Sequence, residues 1–172
     1  MCAKIIKPRK PKSAEQALQS LMRECAKAEK SSGDARRLMA RWEVPISDRE
    51  EVLNALIGQR FIDDQRFAEA YTREKTNLSG WGVRKISMEL SRKGISREII
   101  TEVIENLDTE AMAERLCDKL RRKMKTVKYK DNFDLRNKLV RYGASLGYDY
   151  GAVSEAISQV ITIKEEEECF NF

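Results

Sequence analysis

The sequence predicts an all-α protein, built as three tandem three-helix repeats that form an elongated, mildly curved rod. Composition is the first observation: of 172 residues 35% are charged, 7% are aromatic and only three are proline, a balance that suits solvated helices better than a β-sandwich. Apolar residues recur at helical spacing from residue 13 to residue 161, and no strictly hydrophobic run exceeds three residues. The third observation is a repeat. Adding 51 carries Ala35 to Ile86, Met39 to Leu90, Val52 to Val103 and Leu56 to Leu107, and adding 53 carries Ile86 to Leu139, Gly94 to Gly147 and Leu107 to Val160. Apolar positions meet apolar positions and a turn glycine meets a turn glycine, as stacked helical units require.

Residues 1–12 hold Pro8 and Pro11 among five Lys/Arg and no acid, and read as a flexible basic arm. In the first repeat, 13–62, Ser13 and Gln16 have capping-box spacing, and Ala17, Leu18, Leu21, Met22 and Cys25 share one helical face. Ser31-Ser32-Gly33-Asp34 starts a second helix with Ala35, Leu38, Met39 and Trp42 inside, stopped by Pro45. Ser47 with Glu50 predicts another capping box, opening a helix with Val52, Leu53, Leu56 and Ile57 inward.

The second repeat, 63–107, repeats this plan. Asp63 or Asp64 caps a helix carrying Phe67, Ala68, Tyr71 and Leu78. Gly80-Trp81-Gly82 is a turn, Val83, Ile86 and Leu90 face inward, and Gly94 suits a left-handed C-terminal position. Ser96 caps a helix with Ile99, Ile100, Val103, Ile104 and Leu107. The third repeat, 108–161, places Ala113, Leu116, Cys117, Leu120, Met124 and Val127 on one face, then Leu135, Leu139 and Tyr142, then Val153, Ala156, Ile157 and Val160. Residues 162–172 form an acidic tail containing Glu165 to Glu168.

Several kinds of chemistry lack their residues. The chain has no histidine, which removes Ser-His and Cys-His nucleophile pairs and imidazole acid/base work. Cys2, Cys25, Cys117 and Cys169 are far apart with no C-x-x-C, so neither a zinc site nor a disulfide framework is expected, and the thiols point to a reducing compartment. No G-K-[ST] occurs, and Gly80-Trp81-Gly82 lacks the third glycine of a dinucleotide loop. Asp63-Asp64 reads as helix capping rather than a metal or acid/base pair. No cofactor, metal, membrane segment or catalytic residue is expected. The reading is a cytoplasmic, monomeric binding protein.

The net charge of +5 lies in the N-terminal arm and in residues 108–161, where eleven bases face eight acids. Arg115, Lys119, Arg122 and Lys123 share one helical face, read as lying opposite the apolar one, within a stretch whose only acid is Asp118. Arg136, Lys138 and Arg141 follow on the next helix, and Arg84, Lys85, Arg92 and Lys93 make a smaller set in the second repeat. A solvated helix normally interleaves acids, so these residues are the candidate surface for a polyanionic partner.

The stretch Phe61-Ile62-Asp63-Asp64-Gln65-Arg66-Phe67-Ala68-Glu69-Ala70-Tyr71, then Gly82-Val83-Arg84-Lys85-Ile86, Glu89-Leu90 and Lys93-Gly94-Ile95, closely resembles the RecX family of regulatory proteins. Those proteins carry a D-D-x-R-F-A-x-x-[YF] block followed by G-x-x-[RK]-I-x-x-E-L-x-x-K-G-[IV]. In the first repeat Trp42-Glu43-Val44-Pro45 stands where the family often has a lysine-glycine turn, so that unit is expected to be tilted or reshaped. The resemblance implies a non-enzymatic modulator that binds in the groove of the RecA–DNA filament. It would restrain filament growth, ATP hydrolysis, strand exchange and the coprotease role. Two other readings stay open. One is a direct nucleic-acid binder with helix-turn-helix-like units, against which the acidic starts Ser47-Asp48-Arg49-Glu50 and Ser96-Arg97-Glu98 count; the other is a passive scaffold.

Overall fold

Helices in this chain begin where a side-chain oxygen can accept an otherwise orphaned amide. The computed structural model describes residues 11–169, with side chains described from 11 to 161. Among the described residues there is no strand. The helices are α1 Ala14–Lys27, α2 Ser32–Arg41, α3 Ile46–Gly58, α4 Asp64–Glu74, α5 Val83–Arg92, α6 Arg97–Glu105, α7 Thr109–Thr126, α8 Asn132–Leu146 and α9 Tyr150–Cys169. A π-helical turn, Lys75–Ser79, continues α4. Ser13 and Gln16 form the expected reciprocal capping box, and Ser31, Asp108 and Asp131 each accept the amide three residues on. The adjacent acids divide the work: Asp63 accepts the amide of Arg66 at 3.0 Å, while Asp64 reaches back to that of Ser32.

By packing, the chain divides into two compact units. The first holds the residues up to Ala68 together with Ser91–Ile99, and the second holds Glu69–Leu90 and the residues from Ile100 on.

In the first unit α1 and α2 both pack on α3. Leu21, Met39 and Leu56 are fully enclosed between them. Burial of such a side chain is worth about 1.5–3 kcal/mol, so this small apolar cluster carries the fold of the unit. The turn after α2 keeps a left-handed residue although it lacks glycine: Glu43 has φ 54°, and Val44 donates to the Met39 carbonyl at 3.0 Å. Gly94, at the corresponding place after α5, has φ 80°. The backbone conformation of the lysine-glycine turn is therefore retained with a glutamate in it. The N-terminus of α2 docks on the turn after α5. Ser31 Oγ donates to the Lys93 carbonyl at 2.7 Å, and a Cβ on Gly33 would run into that same carbonyl group.

The second unit uses the same device. Gly82 donates to the Leu146 carbonyl at 2.8 Å and Arg84 to the Gly147 carbonyl at 3.1 Å, so the start of α5 meets the end of α8. Opposed ends of two helix dipoles attract there, and the glycines permit the approach. A Cβ on Gly82 would lie 2.6 Å from the Gly147 carbonyl, and Gly147 is left-handed at φ 94°. Helices α7, α8 and α9 enclose Leu116, Leu120, Leu139, Val153 and Ile157. Gly143 lets α9 come close, because its Cβ would fall 2.6 Å from Val153 Cγ2.

Local departures from the sequence reading have physical causes. The Ser47–Glu50 capping box does not form: α3 starts at Ile46 behind Pro45, whose φ is −52°, and the Ser47 hydroxyl donates to the Asp48 carboxylate instead. Ile57 is 45% exposed and Leu78 77% exposed, not inward. Leu78 lies in the π-helical turn, which shifts the helical phase. Within it the Thr76 hydroxyl donates to the Thr72 carbonyl at 2.9 Å. In α7 the inward residue is Met112, and Ala113 is exposed. Phe67, Ile86, Leu90 and Val103 are buried as expected, whereas Tyr71 and Leu107 are half-buried, Leu107 against the α7–α9 core.

Residues 1–10 of the basic arm and the side chains of Glu165 to Glu168 lie outside the described residues. Lys12 is held by Trp42, with Nζ 3.6 Å from the ring centre and its amide donating to the Trp42 carbonyl.

Candidate functional site

The π-helical turn ends in a close group of cations and aromatic rings. Gly80, left-handed at φ 66°, and Trp81 both donate their amides to the Lys75 carbonyl, which fixes the indole beside that lysine. Lys85 Nζ lies 4.4 Å from the Trp81 ring centre and Lys75 Nζ 5.5 Å; Lys75 Nζ is also 5.1 Å from the Tyr71 ring. Lys85 further donates to the Ser145 carbonyl at 3.1 Å, and Glu74 accepts from Lys75 at 2.7 Å. That Glu74 hydrogen bond raises the Lys75 pKa, so the ammonium is charged at neutral pH. Each cation–ring contact contributes about 0.5–1 kcal/mol at an exposed site; Lys75 is also ion-paired with Glu74, whereas Lys85 is held by the ring and a backbone carbonyl.

Helix α7 supplies further cations to this unit. Lys119 runs its stem over Gly80, where a Cβ would come 2.6 Å from its Cε, and Lys123 Nζ lies 5.4 Å from the Tyr142 ring centre. These lysines are half-buried on the edge of the apolar stripe, not opposite it. Their methylene stems cover apolar surface and the charged ends reach solvent. Arg115 is half-buried near Tyr148, while Arg84 and Arg122 are exposed.

The remaining predicted cations sit differently. Arg136 donates to Ser154, and Arg141 is exposed. Lys138 is bonded to Asp134 at 2.7 Å and to the Lys128 carbonyl. In the first unit Lys93 pairs with Asp34 at 3.1 Å and lies 5.9 Å from the Phe67 ring centre, while the Arg92 carbonyl accepts from Arg37. The structure thus brings Lys85, Lys119 and Lys123 into one unit and commits Lys93 and Lys138 to internal ion pairs. Sequence reasoning missed Lys75 and Trp81 as site residues. Their signal was present: an aromatic between two glycines, with lysines six residues before and four after.

Such a surface can hold phosphate oxygens or carboxylates by charge-assisted hydrogen bonds, with rings nearby for stacking. It has no nucleophile–base pair. Burial pushes the Cys25 and Cys117 thiols up, away from reactivity. Among the described residues no three potential metal ligands gather, and no helix is long and apolar enough to cross a membrane.

Residues 63–104 match the family model of the RecX second three-helix domain. Regulatory protein RecX of Clostridium beijerinckii is 29% identical over 151 residues, covering 87% of this chain and 70% of that protein. The Listeria monocytogenes regulatory protein RecX is 30% identical, covering 80% of this chain and 53% of its own length. The chain thus spans about half of that relative. A crystal structure of RecX from Lactobacillus salivarius superimposes with a TM-score of 0.76 over 87% of this chain and 97% of that one, at 17% identity, which shows a shared fold.

Proposed function

We propose that the chain, which matches the RecX second three-helix domain and is similar to regulatory proteins RecX, is a RecX-family protein that binds the RecA–DNA filament as a non-enzymatic regulator. Binding restrains filament growth, and with it ATP hydrolysis, strand exchange and the coprotease role. The three helical repeats, 13–62, 63–107 and 108–161, act as successive contact modules, and a cytoplasmic monomer suffices. The observation that carries this reading is the surface around Trp81, where Lys75 and Lys85 are held by rings and Lys119 and Lys123 lie in the same unit. Such a surface suits a partner that presents phosphate and acidic side chains together.

A second reading, direct binding of nucleic acid, draws on the same cation-flanked indole, since stacked aromatics beside lysines hold single strands without sequence preference. Co-sedimentation separates the two. The filament reading expects the protein to pellet with RecA assembled on single-stranded DNA and to bind bare DNA far more weakly. Equal binding to bare DNA would favour the second reading.

A further inference from the structure

The first compact unit contains a cleft of about 390 Å³ that has no lining residue in common with the group around Trp81. Asp34, Arg37, Leu38 and Arg41 follow one another along a single stripe of α2 and make one wall. Glu24 and Lys30 come from α1 and the turn after it, and Lys93 from the turn after α5. Both carboxylates are already engaged. Glu24 accepts from Lys27 at 2.8 Å, and Asp34 accepts from Arg37 at 2.8 Å and from Lys93 at 3.1 Å. Arg37 is fixed further by donating to the Arg92 carbonyl at 2.7 Å.

That leaves Lys30 and Arg41. Both line the cleft, and among the described residues neither forms an ion pair. Glu24 is held below its ordinary pKa chiefly by the Lys27 hydrogen bond, so its charge is taken up mainly by Lys27. Two uncompensated cations in a concavity match a group with two negative charges and several acceptor oxygens. A single carboxylate would leave one of them unused. The volume is that of a small-ligand site, too small for a folded domain.

We propose that Lys30 and Arg41 form a phosphate-binding site in this cleft, with the Asp34–Arg37–Lys93 ion group as its rigid wall. The ligand is a phosphoryl group, carried either by a free phosphate ester or by a nucleic-acid strand. The site shares no residue with the Trp81 surface, so failure of filament binding does not bear on it.

Calorimetric titration of the full chain with pyrophosphate, and separately with a thymidine oligonucleotide, tests the proposal. Lys30→Gln and Arg41→Gln are the variants, with Arg36→Gln, at an exposed residue outside the cleft and outside the candidate polyanion surface, as control and circular dichroism as the check of folding. Lys30 is only half-buried and Arg41 exposed, so both variants should fold. Loss of one charge-assisted bond should weaken binding tenfold or more in each variant and leave the control unchanged. If pyrophosphate binding falls and oligonucleotide binding does not, the source is a free phosphate ester; if oligonucleotide binding falls in both variants, it is a nucleic-acid strand. If neither ligand loses affinity in the variants, or neither binds, the proposal is overturned.

Discussion

Asp64 holds a helix other than its own: its Oδ1 accepts the amide of Ser32, the first residue of α2, at 2.8 Å. Its neighbour Asp63 caps α4. Replacing Asp64 with Ala should therefore destabilise the protein by about 1–2 kcal/mol, the cost of a lost cap at a part-buried site. Asp64→Asn keeps an acceptor and should cost less than half as much. Urea denaturation of both variants checks this; equal losses would mean that charge, not the hydrogen bond, is what matters.

Glycine has opposite meanings at two positions. A Cβ on Gly82 would meet the Gly147 carbonyl at 2.6 Å, whereas a Cβ on Gly58 would meet nothing within 4 Å. Gly82→Ala should lower stability by about 1–3 kcal/mol, because backbone must shift on both sides. Gly58→Ala should raise it by about 0.4–1 kcal/mol through the unfolded chain. Thermal denaturation midpoints moving in the same direction would contradict the docking described for α5.

Asp34 makes stability depend on acid. Burial opposes its charge, but hydrogen bonds from Arg37 and Lys93 outweigh that and hold its carboxyl below the ordinary value. With the folded pKa depressed, the ion group stabilises above the unfolded value and its contribution is lost as pH falls through the folded one. Asp34→Asn should thus be less stable than the native sequence at pH 7, with the gap closing below about pH 4. A gap constant from pH 7 to pH 3 would show that the carboxylate charge contributes nothing.

Much of the fold was legible because its signals are local. Ser13 with Gln16, the glycines at 94 and 147, and the apolar faces of α8 and α9 act within a few residues of themselves. The π-helical turn was not legible, because nothing in apolar spacing marks a local change of helical phase. Glu43 shows the limit of reading glycine as the sign of a left-handed turn, since the chain adopts the conformation there without one. For the candidate site, counting cations found Lys85, Lys119 and Lys123. It could not tell them from Lys93, whose partner Asp34 lies far away in sequence and is brought near only by the docking of α2. Lys75 was overlooked because its place beside Trp81 depends on the same π-helical turn.

Binding through Lys75 and Lys85 should be sensitive to salt. Affinity for the filament is expected to fall by about an order of magnitude or more between about 50 and 200 mM salt, as multiple phosphate contacts dictate. Lys75→Gln with Lys85→Gln should flatten that dependence by about two contacts. An affinity that does not change over this range in the native chain would indicate an apolar interface.

The most direct measurement is co-sedimentation of the native chain and of Lys75→Gln/Lys85→Gln with RecA filaments formed on single-stranded DNA, at about 50 mM salt, where phosphate contacts are least screened. The account predicts that the native chain pellets with the filament and that the double variant, folded by circular dichroism, binds at least tenfold more weakly. Native-level binding by the double variant would contradict the assignment of the Trp81 surface. Failure of the native chain to pellet would contradict the proposed function itself.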